Sequence, residues 1–104
     1  MGHHAWVLEV RPGCEEEYKA RHDAIWPEMV DALRGAGIRN YSIFRHGLTL
    51  IGTFETDDLA RTVAILRDDP VNARWGASMT PLMKIEVDSR TGFPFLLPLQ
   101  WHMD

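Results

Sequence analysis

Ile38-Arg39-Asn40-Tyr41-Ser42-Ile43-Phe44 and Leu48-Thr49-Leu50-Ile51-Gly52-Thr53-Phe54-Glu55 are two β-rich runs with only Arg45-His46-Gly47 between them. A short glycine-containing connection between such runs predicts a β-hairpin. Upstream, large side chains recur at Tyr18, His22, Ile25, Trp26, Met29 and Leu33. That three-four spacing predicts a helix from about Cys14 to Leu33, with Gly35 and Gly37 as its stop signals. Glu15, Glu16 and Glu17 suit the positive end of its dipole, and Pro27 removes one backbone donor, predicting a kink near Trp26. Before the turn at Pro12-Gly13, Ala5 to Val10 reads as a first strand. After the hairpin, Thr56-Asp57-Asp58 caps a second helix to about Arg67, with Leu59, Val63 and Leu66 on one face. Asp68-Asp69-Pro70 breaks it, Val71 to Met79 is a further helical segment, and Met83-Lys84-Ile85-Glu86-Val87 is a strand or an extended lead-in. The order β-α-β-β-α-(α)-β is the ferredoxin-like split βαβ pattern, an α+β fold with an antiparallel sheet and helices on one face. The other face of such a sheet is polar or covered, and a second copy of the chain is one cover.

The chain has 104 residues, the size of one domain, and shows no internal repeat or linker. Its 15 acidic and 11 basic residues give a net charge of −4, against the basic stripe of a nucleic-acid module. The apolar share of 45% is that of an ordinary globular protein. No stretch approaches the ~20 apolar residues of a membrane span, and nothing at the start reads as a signal peptide. Cys14 is the lone cysteine, which excludes an intrachain disulfide and a cysteine-rich zinc site; the expectation is a cytoplasmic protein. Residues from about 88 to 104 form an apolar tail, with Phe93-Pro94-Phe95-Leu96-Leu97-Pro98-Leu99 at its centre. Such a run is too apolar for a monomer surface and is expected to pack on its own domain or on a partner.

Tyr18 and His22 are four apart and meet on one helix face, with Trp26 a turn further on. A packing stripe with one hydrogen-bonded histidine is the plain reading. A stripe made only for packing would draw on Leu, Ile or Val, however, and three amphipathic rings suit a wet, partly apolar pocket. Carbohydrates need ring faces for their C–H surfaces and polar groups for their hydroxyls, and histidine titrates where proton transfer near neutrality requires it. Tyr41 is either a sheet-face aromatic or a hydroxyl aimed into a pocket. Trp75 reads first as a packing anchor and Arg74 as an exposed cation. The five histidines, His3, His4, His22, His46 and His102, include no i,i+4 pair and no HExxH, so no metal site is expected. GxGxxG, P-loop and GxSxG motifs are absent too.

The stretch Tyr18-Lys19-Ala20-Arg21-His22-Asp23-Ala24-Ile25-Trp26-Pro27-Glu28, followed by Ala36-Gly37-Ile38-Arg39-Asn40-Tyr41-Ser42-Ile43, resembles the L-rhamnose mutarotase family. So do Asp69-Pro70-Val71-Asn72-Ala73-Arg74-Trp75 and the closing Trp101-His102-Met103-Asp104. The resemblance covers nearly the whole chain. It implies a dimeric α/β barrel that interconverts the α and β anomers of L-rhamnose or a related deoxy sugar, with no metal or organic cofactor. It places a proton donor at His22 and sugar-binding residues at Tyr18, Tyr41 and Trp75. The chain departs from the family pattern at Gly76, where a second tryptophan is usual, and at Arg45-His46-Gly47, where the turn is usually acidic. Two other readings compete: a dimeric-barrel monooxygenase, and a non-catalytic sugar-binding or regulatory dimer in which His22 only hydrogen-bonds.

Overall fold

The computed structural model describes residues 2–84, 87–88 and 93–104. The elements run β1 Gly2–Val10, α1 Glu15–Asp23, α2 Pro27–Gly35, β2 Arg39–His46, β3 Thr49–Thr56, α3 Leu59–Asp68 and α4 Pro70–Met79. A 3₁₀ turn at Thr80–Leu82 leads into β4 Met83–Lys84, and β5 Val87–Asp88 pairs with β6 Phe93–Pro94. The main sheet has the order β2-β3-β1-β4 and is antiparallel throughout. That order is the split βαβ arrangement expected from the sequence. Of the run expected for the fourth strand, Met83 and Lys84 form β4 and Val87 lies in β5, while Ile85 and Glu86 lie outside the described residues, as do residues 89–92 of the tail.

Where one kinked helix is expected, two helices stand. Trp26 is extended, at φ −60° and ψ 131°, and Pro27 occupies the first turn of α2. A proline pushes the residue before it out of the helical region and is itself well placed at a helix start, so the ladder stops and restarts. The far end of α2 closes with hydrogen bonds from Ile38 N–H to the Leu33 carbonyl and from Gly37 N–H to the Arg34 carbonyl. This paired pattern needs a left-handed residue, supplied by Gly37 at φ +94°. Asp58 caps α3 by accepting from the Arg61 N–H, and Asp69 caps α4 by accepting from Val71 and Asn72 N–H.

The register of β1 on β3 puts Trp6 opposite Gly52, Leu8 opposite Leu50 and His4 opposite Phe54. Trp6, Val10, Leu50 and Phe54 are buried on this inner face, against Tyr18, Leu66 and Met79 from the helices. β2 carries a bulge: between its pairings Arg39 with Glu55 and Ser42 with Thr53, Asn40 and Tyr41 together oppose one residue of β3. Asn40 takes φ +51° there. In a regular strand, residues three apart point to opposite faces. The extra residue lets both Ile38 and Tyr41 turn inward to the core. The tail runs back along β1, with Leu96 bridging Trp6 and Leu97 N–H donating to the Ala5 carbonyl. Among the described residues no helix is long and apolar enough to cross a membrane.

Candidate functional site

Between the inner sheet face and the helices lies an open cavity of about 540 Å³. This falls within the ~300–1,000 Å³ usual for small-molecule sites. Tyr18 and His22 of α1, Tyr41 of β2 and Trp75 of α4 all line it. The four residues singled out in the sequence therefore share one site although they come from three elements. The Tyr18 and His22 rings meet at a tilt with centroids 4.3 Å apart, as their i,i+4 spacing allows. Trp75 meets His22 edge-on at 5.3 Å, and Trp26 braces Trp75 from behind at 5.2 Å. Trp26 is thus no continuation of the α1 stripe; it reaches the cluster from the break before α2. Arg21 holds α1 to α4 through a hydrogen bond to the Ser78 carbonyl, which fixes His22 relative to Trp75. Arg74 is exposed and does not line the cavity.

The chemistry of His22 is decided by one hydrogen bond. Its Nδ1 lies 3.0 Å from the Tyr18 carbonyl oxygen. A carbonyl only accepts, so Nδ1 carries the proton, and in the neutral ring Nε2 holds a lone pair. Burial lowers the pKa of His22 below its ordinary value, outweighing the opposite pull of that hydrogen bond and of Asp23. The ring is therefore neutral at physiological pH. Burial also raises both phenols: Tyr41 is pushed up to about 12, and Tyr18 higher still, with Tyr41 adding to its shift. Both stay protonated and act as hydrogen-bond donors rather than bases. No Asp or Glu is among the described residues that line the cavity.

Sequence reading missed Trp6. Its indole N–H donates to the Tyr41 hydroxyl at 2.9 Å, and the two rings meet edge-on at 6.4 Å. With one lone pair occupied by Trp6, the Tyr41 hydroxyl keeps its proton for an oxygen in the cavity. No local signal marks this pair, because the residues lie on strands separated by β3. Asn72 also lines the cavity, with its amide N–H tied to the Leu66 carbonyl. Gly76 opens the wall beside Trp75: a Cβ placed there meets no heavy atom within 4 Å.

A family model described as L-rhamnose mutarotase matches residues 3–98. An L-rhamnose mutarotase from Rhizobium leguminosarum bv. trifolii is 42% identical over 88 residues, covering 83% of this chain and 82% of the relative. One from Sinorhizobium fredii is 39% identical over 103 residues, covering 96% and 94%. Among solved structures, an L-rhamnose mutarotase from Formosa agariphila superposes with a TM-score of 0.79 at 24% identity, with full coverage of both chains. A type-II polyketide cyclase from Streptomyces glaucescens superposes with a TM-score of 0.66 at 16% identity, covering 100% of this chain and 98% of the cyclase. At such identities these two structures speak for the fold alone.

Proposed function

Because this chain belongs to the L-rhamnose mutarotase family, and is accordingly an isomerase acting on carbohydrates, we propose that its cavity binds L-rhamnose or a related deoxy sugar and that His22 moves the proton that opens the ring. The observation that carries this reading is His22 itself. Among the described residues that line the cavity it is the only histidine, and it is held by its Nδ1 with Nε2 left for substrate.

Mutarotation opens the pyranose, turns the aldehyde and recloses the ring on the other face. In opening, the anomeric hydroxyl loses its proton while the ring oxygen gains one and its bond to the anomeric carbon breaks. Neutral His22 takes the first proton at Nε2 and, now charged, delivers it to the ring oxygen. The two oxygens are bonded to the same carbon, so one imidazole serves both. Closure on the other face runs the same steps in reverse and returns His22 to its neutral form. Its donor role thus depends on a prior acceptance. Tyr18 and Tyr41 donate hydrogen bonds to sugar hydroxyls, and Trp75 offers a ring face to the C–H surface. The test is saturation-transfer NMR between the anomer signals of L-rhamnose, with and without protein. Exchange no faster than the uncatalysed rate for every deoxy sugar tried would overturn the mutarotase reading of this site.

The opening at Gly76 bears on which sugar is held. Gly76→Trp is expected to tighten L-rhamnose binding several-fold by closing that wall, with a smaller change in the chemical step. The KM and kcat of the variant, taken separately, check this. A fall in kcat with KM unchanged would show that Gly76 belongs to the reaction path instead.

The homodimer rests on two apolar surfaces. On the outer sheet face Phe44 is 62% exposed. In the tail, Leu97, Leu99, Trp101 and Met103 are all exposed at alternate positions, with Pro98, Gln100 and His102 between them. Exposed apolar side chains in such number favour a second chain as their cover. Sedimentation at micromolar concentration is expected to give twice the chain mass of 11.9 kDa. A stable monomer that keeps full activity would refute the assembly. The reading of a reducing, cytoplasmic setting rests on the sparing use of cysteine, Cys14 being the lone one.

A further inference from the structure

We propose that His3, His102 and Asp104 form a binding site for a divalent transition metal, of the Zn²⁺ class, that clasps the C-terminal tail to β1. One candidate ligand atom from each of the three residues lies within 4.8 Å of the others. His102 Nε2 is 2.8 Å from Asp104 Oδ1, and the His3 and His102 rings stack with centroids 4.0 Å apart. Glu55, on the neighbouring strand β3, has Oε1 3.8 Å from His3 Nε2 and adds a second carboxylate beside the cluster.

Two imidazole nitrogens and a carboxylate oxygen are the donor set of Zn²⁺ and related metals, with a remaining position for water. Tetrahedral Zn²⁺ with bonds of ~2.0–2.2 Å holds its ligand atoms about 3.3–3.6 Å apart. Closing the cluster onto the ion therefore asks shifts of about 1 Å, and the side chains of His102 and Asp104 are solvent-accessible enough to make them. An ion pair between His102 and Asp104 accounts for those two residues alone. It does not by itself bring His3 of β1, with Glu55 of β3 beside it, to the same spot. A shared cation would join all three side chains through one centre, with both imidazoles as neutral ligands. The ion would tie the last residues of the chain to its first strand and hold the alternate apolar side chains of the tail in one line.

The test uses the full chain without an affinity tag, stripped with a chelator and titrated with Zn²⁺ alone by calorimetry at neutral pH. One equivalent per chain is expected to saturate below about 100 μM, and the melting temperature is expected to rise with Zn²⁺. His3→Ala and His102→Ala should each weaken binding by at least about tenfold, and Asp104→Asn, at the exposed end of the chain, should weaken it without disturbing the fold. His22→Asn, in the separate sugar cavity, should bind Zn²⁺ as the unaltered protein does. No binding at about 100 μM, binding that survives both histidine substitutions, or binding lost in His22→Asn would each overturn the proposal.

Discussion

Replacing His22 by asparagine is expected to slow anomer exchange by roughly 10²–10⁴-fold, the contribution of one positioned acid–base group, while the protein stays folded. Asparagine retains a hydrogen-bonding side chain near the Tyr18 carbonyl but offers no nitrogen that titrates near neutrality. It also gives up ring contacts with Tyr18 and Trp75, so a modest loss of stability, about 1 kcal/mol, accompanies the kinetic effect. Tyr18→Phe should do much less, removing one hydroxyl while keeping the ring against His22.

The pH profile adds an independent check. The proton-accepting form is neutral His22, whose pKa is lowered by burial. Exchange in the unaltered protein should therefore be flat through neutral pH and fall only in acid, below the ordinary histidine pKa of about 6.5. A rate that rises as the pH falls would mean that the charged ring is the resting catalyst. A merely structural histidine predicts another pattern, in which His22→Asn lowers the melting temperature and the folded fraction keeps its exchange rate. Melting temperature and NMR exchange rate on that one variant distinguish the two.

The largest expected loss of stability comes from Gly52→Val. Gly52 faces Trp6 across the β1–β3 pair, and a Cβ at this position would fall inside the van der Waals shell of the indole, against Cε2, Cζ2 and Nε1. Trp6 is 4% exposed and packed in the core, so the ring has little room to retreat. Overpacking of this kind costs ~1–3 kcal/mol, and pushing the indole off the Tyr41 hydroxyl adds ~1–3 kcal/mol for the unsatisfied groups. Against a total stability of about 5–15 kcal/mol this is a large fraction. Thermal unfolding should show it directly, and the folded remainder should bind sugar less tightly because Tyr41 has lost its brace. A melting temperature equal to that of the unaltered protein would show that the indole can lie elsewhere. Trp6→Phe should be milder, since it keeps a ring over Gly52 and removes only the donor to Tyr41.

Much of this molecule is legible along the chain, because the signals are local. The hairpin follows from two β-rich runs around a short turn, and the helix starts at Asp58 and Asp69 follow from side chains that accept backbone N–H groups two or three residues on. The meeting of Tyr18 with His22 follows from helical pitch alone. The break before α2 was half legible: Pro27 marks an interruption, but whether the chain bends or restarts depends on the conformation Trp26 adopts against Trp75. The family resemblance pointed to His22, Tyr18, Tyr41 and Trp75, and the fold brings all four to one cavity.

Other features exist only through contacts between residues distant in sequence. The bulge at Asn40 and Tyr41 is set by the register of β2 on β3, and it lets Ile38 and Tyr41 share a face. The fit of Trp6 over Gly52, and the hydrogen bond from Trp6 to Tyr41, depend on which strands are neighbours. The same holds for His3 and His102. Their spacing suggests no metal ligand set, because motif spacing records only ligands carried on one helix or loop, whereas these two meet because the tail returns along β1. Backbone propensity and helical pitch act over a few residues and can be read in order. Strand register and the path of the tail depend on pairings between residues far apart along the chain, so they are decided only when the chain has folded.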